Sequence, residues 1–145
     1  MSRAGKPISS SSNHHGPTGG IDWSSNGTVI ASCSDDETLQ CWRADNWANC
    51  GFMTGHAGPV LSVKWSPENK LLASAGADGT VRLWEPGQAR FPATSRKCQG
   101  WVTGLAWGPD SKRLAYVASA ESKVCIVDSA NPESEQTLAT TESFL

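Results

Sequence analysis

The 145 residues read as an all-β protein built from a repeated sheet unit, and three observations carry that reading. Tryptophan is in surplus, seven against one tyrosine and three phenylalanines. Five of the seven keep a period: Trp23, Trp65 and Trp107 are 42 residues apart, and so are Trp42 and Trp84. Turn-forming residues recur between short β-branched and aromatic runs. Helical periodicity is absent throughout. A period near 40–45 residues belongs to repeat architectures, in which each unit buries its apolar faces only against its neighbours.

The elements follow in order within the second unit. Val60–Trp65 is rich in β-branched and aromatic residues and predicts a strand. Ser66-Pro67-Glu68-Asn69 predicts a turn, with proline supplying a fixed φ. Lys70–Gly76 predicts a second strand, Ala77-Asp78-Gly79 a tight turn, and Thr80–Trp84 a third strand. The first unit repeats this order with Asn26-Gly27 and Asp35-Asp36 at its turns. In register, the units run from His14 to Trp42, from His56 to Trp84, and from Cys98 to Val127, the last one residue longer before its final strand.

Composition narrows the function classes. With 38% hydrophobic and 18% charged residues, a net charge of −2 and a pI near 5.9, the chain fits the soluble class. Its longest apolar run, Leu114–Ala118, is five residues, against the about 20 that a membrane helix needs. The start, MSRAGKPISSSS, lacks the apolar stretch of a secretory signal. So small a net charge gives no general pull toward nucleic acid or an anionic membrane. Cys33, Cys41, Cys50, Cys98 and Cys125 are odd in number and include no C-x-x-C pair, which fits free thiols in the cytoplasm or nucleus. A zinc site can be drawn from Cys33, Cys41 and a histidine, but the spacing suits no compact zinc knuckle. Cys41 and Cys125 stand instead in alternating apolar strings, where a free cysteine acts as a small hydrophobe. No metal or other cofactor is expected.

The repeated residues also carry a family resemblance. Gly55-His56, Trp65-Ser66-Pro67, Leu72-Ala73-Ser74, Asp78-Gly79 and Val81-Arg82-Leu83-Trp84 make up one full signature. On these residues the chain resembles the WD-repeat β-propeller family over about residues 13–128. The resemblance implies about three four-stranded antiparallel blades in an open or partial ring. Residues 1–12 are expected to form a flexible Ser-rich tail, 13–54 the first blade, 55–96 the second, and 97–128 a degenerate third. Residues 129–145 are expected to be a C-terminal tail or the start of a missing repeat. Some positions depart from the family. Arg43 and Glu85 follow the tryptophans where the family has aspartate, and Asn13 replaces the glycine before the first histidine. The third unit has Cys98, Tyr116 and Val127 in place of His, Ser and Trp.

His56, Ser74 and Asp78 are the ingredients of a hydrolase triad. The resemblance gives them another role, a hydrogen-bonded tetrad that pins the strands and turn of one blade. A carboxylate holds one imidazole nitrogen, a serine takes the other, and an indole N–H closes the chain. The second unit would use His56, Ser74, Asp78 and Trp84, and the first would use His14, Ser32, Asp36 and Trp42. A catalytic site has no reason to be duplicated at a structural repeat, and neither serine sits in a nucleophile-elbow pattern. The chain is therefore expected not to be an enzyme, and a Ser/His/Asp hydrolase ranks a distant third.

The resemblance implies a non-catalytic protein–protein interaction scaffold that offers loops and a channel rim to protein or peptide partners. It puts the contact positions three and five residues after the histidine and one before the turn aspartate. These are Pro17, Gly19 and Asp35 in the first unit, Pro59, Leu61 and Ala77 in the second, and Trp101 and Thr103 in the third. Trp101 and Trp47 fall outside the period. An exposed tryptophan is a common interface anchor, and covering a neighbouring blade is the other role open to Trp101. The alternative function is a nucleic-acid-associated module. Arg90-Phe91 through Arg96-Lys97 and Trp101 interleaves three basic groups with two aromatics, as single-strand binding needs. Such a stretch is more often a solvated strand and loop, so nucleic acid is not the favoured partner, and no membrane is expected. Asn26-Gly27-Thr28 fits a glycosylation sequon as well as a turn, and Gly16-x-x-Gly19-Gly20 lacks the lysine of a phosphate loop.

Complete propellers have about 4–8 blades. Three units leave the ring unclosed, because a fourth histidine position would fall near residue 141, where the chain reads Thr141-Glu142-Ser143-Phe144-Leu145. A truncated or partial product is the favoured expectation and a fragment of a larger gene model is another. Self-association to close the ring, with two copies supplying six blades, is the minor one.

Overall fold

The computed structural model describes residues 13–87, 92, 94–121, 123–131 and 135–138, and its regular elements are strands. In order they are β1 (Thr18–Trp23), β2 (Val29–Ser34), β3 (Leu39–Arg43), β4 (Asn49–Met53), β5 (Val60–Trp65) and β6 (Leu72–Gly76). Then come β7 (Thr80–Trp84), β8 (Thr94–Lys97), β9 (Val102–Trp107), β10 (Arg113–Ala118), β11 (Val124–Asp128) and β12 (Glu135–Thr137). They form three four-stranded antiparallel sheets, each in chain order: β1 to β4, β5 to β8, and β9 to β12. The all-β blade architecture read from the repeat is the one present. Among the described residues no helix is long and apolar enough to cross a membrane. The Ser-rich segment 1–12, Arg90, Phe91 and residues 139–145 lie outside the described residues.

The strands expected at Val60–Trp65 and Thr80–Trp84 coincide with β5 and β7. β6 starts at Leu72 rather than Lys70, because the preceding turn still holds Leu71. Ser66 N–H donates to the Leu71 carbonyl at 2.8 Å, and Leu71 N–H donates to Ser66 Oγ at 3.0 Å. The same turn position takes a left-handed backbone in every unit, with φ of 73° at Gly27, 61° at Asn69 and 59° at Ser111. Glycine and asparagine suit that conformation because it crowds a Cβ.

The sheets stack through alternating strand faces. β5 packs on β1 and β2, and β9 packs on β5 and β6. One core joins Ala31, Cys33, Leu39, Cys41 and Met53 of the first sheet to Val60, Val63, Trp65, Leu72 and Trp84 of the second. The other joins Ala73, Ala75, Val81 and Leu83 to Leu105, Leu114, Tyr116, Cys125 and Val127 of the third. Each seam sets a face of bulky side chains against a face of smaller ones, which lets the layers interdigitate. Burying each Leu or Val here stabilises the fold by about 1.5–3 kcal/mol. The innermost strands come close: a Cβ on Gly19 would lie 2.8 Å from the Val60 carbonyl oxygen, so only glycine fits there. This packing accounts for the tryptophan period. Trp65 and Trp84 are buried against the preceding sheet, and Trp107 donates its indole N–H across the next seam to the Lys64 carbonyl at 3.0 Å.

Candidate functional site

Four residues converge inside the second sheet. His56 precedes β5, Ser74 lies mid-β6, Asp78 sits in the β6–β7 turn, and Trp84 ends β7. His56 Nδ1 is 2.9 Å from Asp78 Oδ2, and His56 Nε2 is 2.7 Å from Ser74 Oγ. Because the carboxylate only accepts, Nδ1 carries the imidazole proton and Nε2 is left as an acceptor. Ser74 Oγ–H therefore donates to Nε2, while Trp84 Nε1–H donates to Ser74 Oγ at 2.8 Å. Asp78 Oδ2 also accepts the Ala57 N–H at 3.0 Å, which ties the approach to β5 to the turn.

The electrostatics agree with this proton placement. Burial lowers the His56 pKa, outweighing the Asp78 charge that would raise it, so the ring is held neutral. Burial alone would raise the Asp78 pKa. The Ala57 N–H, the Thr80 hydroxyl and His56 outweigh it and lower the value to about 2.

The first sheet holds the same constellation. His14 Nδ1 is 3.1 Å from Asp36 Oδ2, His14 Nε2 is 2.8 Å from Ser32 Oγ, and Trp42 Nε1–H donates to Ser32 Oγ at 3.0 Å. Hydrogen bonds from Thr38, His15 and His14 overcome burial and hold the Asp36 carboxyl well below the usual carboxylate range.

The third sheet uses other chemistry for the same junction. Glu121 Oε1 accepts the Gln99 N–H at 3.2 Å, as Asp36 does from His15 and Asp78 from Ala57. Cys125 Sγ–H reaches Glu121 Oε2 at 3.5 Å, and Arg96 Nε–H donates to the buried Tyr116 hydroxyl at 3.1 Å. Burial pushes the Cys98 thiol and the Tyr116 phenol up, so both stay neutral donors. Sequence reading left Glu121 out because it stands one residue past the turn-aspartate offset.

At one end of each sheet the predicted contact positions meet across the first strand and the turn. Asp35 N–H donates to the Pro17 carbonyl at 2.9 Å, Ala77 N–H to Pro59 at 2.8 Å, and Ser119 N–H to Trp101 at 2.7 Å. Pro59, Leu61 and Ala77 are half-buried in the middle sheet, while Pro17, Gly19, Asp35, Trp101 and Thr103 are exposed. Trp101 is 58% exposed, and its backbone is fixed at both ends, since Trp101 N–H donates to Ser119 Oγ at 3.0 Å. Gly100 allows that close approach with φ of 78°; a Cβ there would lie 2.7 Å from Ser119 Oγ.

Elsewhere, a groove of about 740 Å³ between the first two sheets is lined by Val29, Cys41, Phe52, Met53, Trp65 and Arg43 among others. Arg43 is held there by Asp45 through bonds of 2.9 and 3.1 Å. Cys33 and Cys41 are buried free thiols pushed up to about 12 by burial. Among the described residues no three His, Cys, Asp or Glu side chains are grouped as metal ligands would be.

The family model described as WD domain, G-beta repeat matches residues 5–43, 47–85 and 92–128. No curated protein matches the chain. Among solved structures 1266 chains match, so the fold is shared too widely to select a function. One, titled "Structure of U3-55K", superposes with a TM-score of 0.81 at 19% identity over 90% of this chain. The chain spans 42% of the length of that structure, and the likeness is one of fold.

Proposed function

Because the chain belongs to the WD domain, G-beta repeat family, we propose that it is a non-catalytic scaffold presenting the Trp101 end of its sheets to a protein or peptide partner. The observation that carries this reading is the tryptophan itself, a large aromatic surface exposed on a backbone fixed by hydrogen bonds. Such rigid aromatic anchors dominate interface energetics. Asp35 and Thr103 are the exposed polar contacts offered at the same sheet ends, and Pro59, Leu61 and Ala77 supply the half-buried floor of the middle sheet.

Catalysis is disfavoured by the state of the serine. Ser74 is fully buried, its proton is donated to His56, and its lone pair accepts from Trp84, so the oxygen is open to no substrate. The nucleic-acid alternative is weakened by its own cations: Arg96 binds the Tyr116 hydroxyl, and the Lys97 ammonium binds the Asp78 carbonyl. Free thiols fit a reducing compartment, cytoplasmic or nuclear.

Affinity capture from source-cell extract, with mass spectrometry of what co-purifies, tests the proposal. Trp101→Ala should weaken the captured partner by about 30-fold or more, the scale of a hot-spot truncation, while leaving thermal stability nearly unchanged. Intact capture with a large loss of stability would assign Trp101 to packing instead. Capture that collapses steeply with rising salt would favour nucleic acid.

A further inference from the structure

One tryptophan of the repeat leaves its indole without an acceptor. Trp107 donates its Nε1–H across the seam to the Lys64 carbonyl at 3.0 Å. One period earlier the same pair of positions is Trp65 and Asp22. Asp22 engages Trp65 differently, its Oδ2 accepting the Trp65 backbone N–H at 2.7 Å. The Trp65 indole N–H is buried and finds no acceptor among the described residues, and the residue is only 8% exposed. Leaving a buried donor open is costly, so a donor satisfied in one unit and open in another points to an acceptor from outside the chain.

Trp65 stands in the wall of the groove of about 740 Å³ between the first two sheets. Val29, Cys41, Met53 and Pro86 make much of that wall apolar, and burial keeps the Cys41 thiol neutral. Thr28 and Asn69, also in the wall, are already engaged: the Thr28 hydroxyl donates to Asn26 and the Asn69 amide to Ser25, both at 2.8 Å. Arg43 is the one charged side chain among the described residues that line the groove. Asp45 takes its Nε–H at 3.1 Å and an Nη2–H at 2.9 Å, which leaves Nη1 outside the pair. The groove therefore supplies donors and a cation, and what it lacks is an acceptor.

We propose that this groove binds a small organic carboxylate with an apolar body, the body lying against Val29, Met53 and Pro86 and the carboxylate accepting from Arg43 and the Trp65 indole. Mostly apolar clefts of about 300–1,000 Å³ with a few polar groups are the usual form of small-ligand sites. A carboxylate matches guanidinium N–H donors in geometry as well as charge. A single negative charge suits the site best. Asp45, 2.9 Å from the guanidinium, already offsets part of its charge, which disfavours a doubly charged phosphate. The groove lies by the turns after β1 and β5, where Thr28 and Asn69 sit, whereas Trp101 precedes β9. It thus opens at the opposite end of the sheets and is independent of the partner reading at Trp101.

Octanoate is the probe, with octanol and inorganic phosphate as comparators, each titrated into the isotope-labelled 145-residue chain. Nuclear magnetic resonance follows the indole N–H signals, assigned by through-bond correlation. Octanoate should shift the Trp65 signal saturably and leave the Trp101 signal in place. Octanol, with the same apolar body and no charge, should bind about 10-fold more weakly or worse, and phosphate should not displace octanoate. Arg43→Gln changes an exposed side chain, and circular dichroism checks that the variant folds. It should weaken octanoate about 10-fold or more and leave octanol unchanged. No saturable shift at Trp65, or a shift spread over all the indole signals, overturns the proposal. So does octanol binding as tightly as octanoate, displacement by phosphate, or full octanoate affinity in the folded Arg43→Gln chain.

Discussion

Ser74→Ala puts the hydrogen-bonded tetrad to a quantitative test. The hydroxyl joins two groups that have nowhere else to turn: Trp84 Nε1–H at 2.8 Å and His56 Nε2 at 2.7 Å. His56 cannot change tautomer without losing Asp78, which needs the proton on Nδ1 at 2.9 Å. Ser74 and Trp84 are both at 0% exposure, so water does not fill in for the missing oxygen. Leaving a buried donor or acceptor unpartnered costs about 1–3 kcal/mol each, which gives a loss of about 2–6 kcal/mol for the pair. At about 2–4 °C per kcal/mol for a chain of this size, the melting temperature should fall by about 4–24 °C. Calorimetry or a far-ultraviolet dichroism melt reads this directly, and a double-mutant cycle with Trp84→Phe isolates the shared bond. The cycle should show about 1–2 kcal/mol of coupling, because Ser74→Ala orphans no indole once the indole is gone. A melt within about 2 °C of wild type, or strictly additive costs, would refute the pinning role.

Acid should destabilise the fold in two stages. The His56 pKa is lowered in the folded state, so below the ordinary value of 6.5 the unfolded chain takes up a proton that the folded chain refuses, and stability falls. Asp78 is depressed from 3.8 to about 2, so its contribution is complete above about pH 4 and drains away as pH falls toward 2. Melting temperature against pH should therefore be flat above about 7, decline below 6.5 and steepen below 4; a rise on going from pH 6.5 to 5 would contradict this. Thiol reactivity gives an independent check of the packing. A short iodoacetamide pulse at pH 8 should label exposed Cys50 and spare Cys33 and Cys41, whose thiols burial holds neutral near 12. Peptide mapping that finds Cys33 or Cys41 labelled as fast as Cys50 would contradict the seam between the first two sheets.

What the sequence made legible is whatever repeats with the period. The 42-residue spacing marked Trp65 and Trp84 as equivalents of Trp23 and Trp42, and the family resemblance grouped Ser74, Asp78 and Trp84 with His56 without any structure. A two-residue difference at the start of β6 was hidden, because Lys70 and Leu71 suit a strand as well as the turn that Ser66 closes around them. The third sheet was illegible for a deeper reason. Its junction has the same backbone demand, an acceptor for the Gln99 N–H, but meets it with Glu121, whose longer side chain reaches back from one position farther along. An offset rule tuned to aspartate cannot see that exchange. Tyr116 stands at the serine position and Cys98 at the histidine position, and Arg96 donates to the Tyr116 hydroxyl.

Spacing also treats every contact position alike, and the packing does not. Pro59, Leu61 and Ala77 sit between two sheets and are half-covered by them, whereas Asp35, Trp101 and Thr103 sit on the outer two sheets and stand clear. The polar groups of the two tetrads are already partnered, so they add stiffness to the sheets but offer a partner nothing to bind. On the proposed scaffold reading, recognition falls to surface that this stiffness holds in place, and Trp101, 58% exposed, is the large aromatic there. Its neighbour Gly100 lets the backbone run close to the facing turn, since any side chain there would collide with Ser119 and Ala120. On that reading, a partner at this end of the molecule would meet the exposed Trp101 on the third sheet and the half-buried Pro59, Leu61 and Ala77 of the middle sheet.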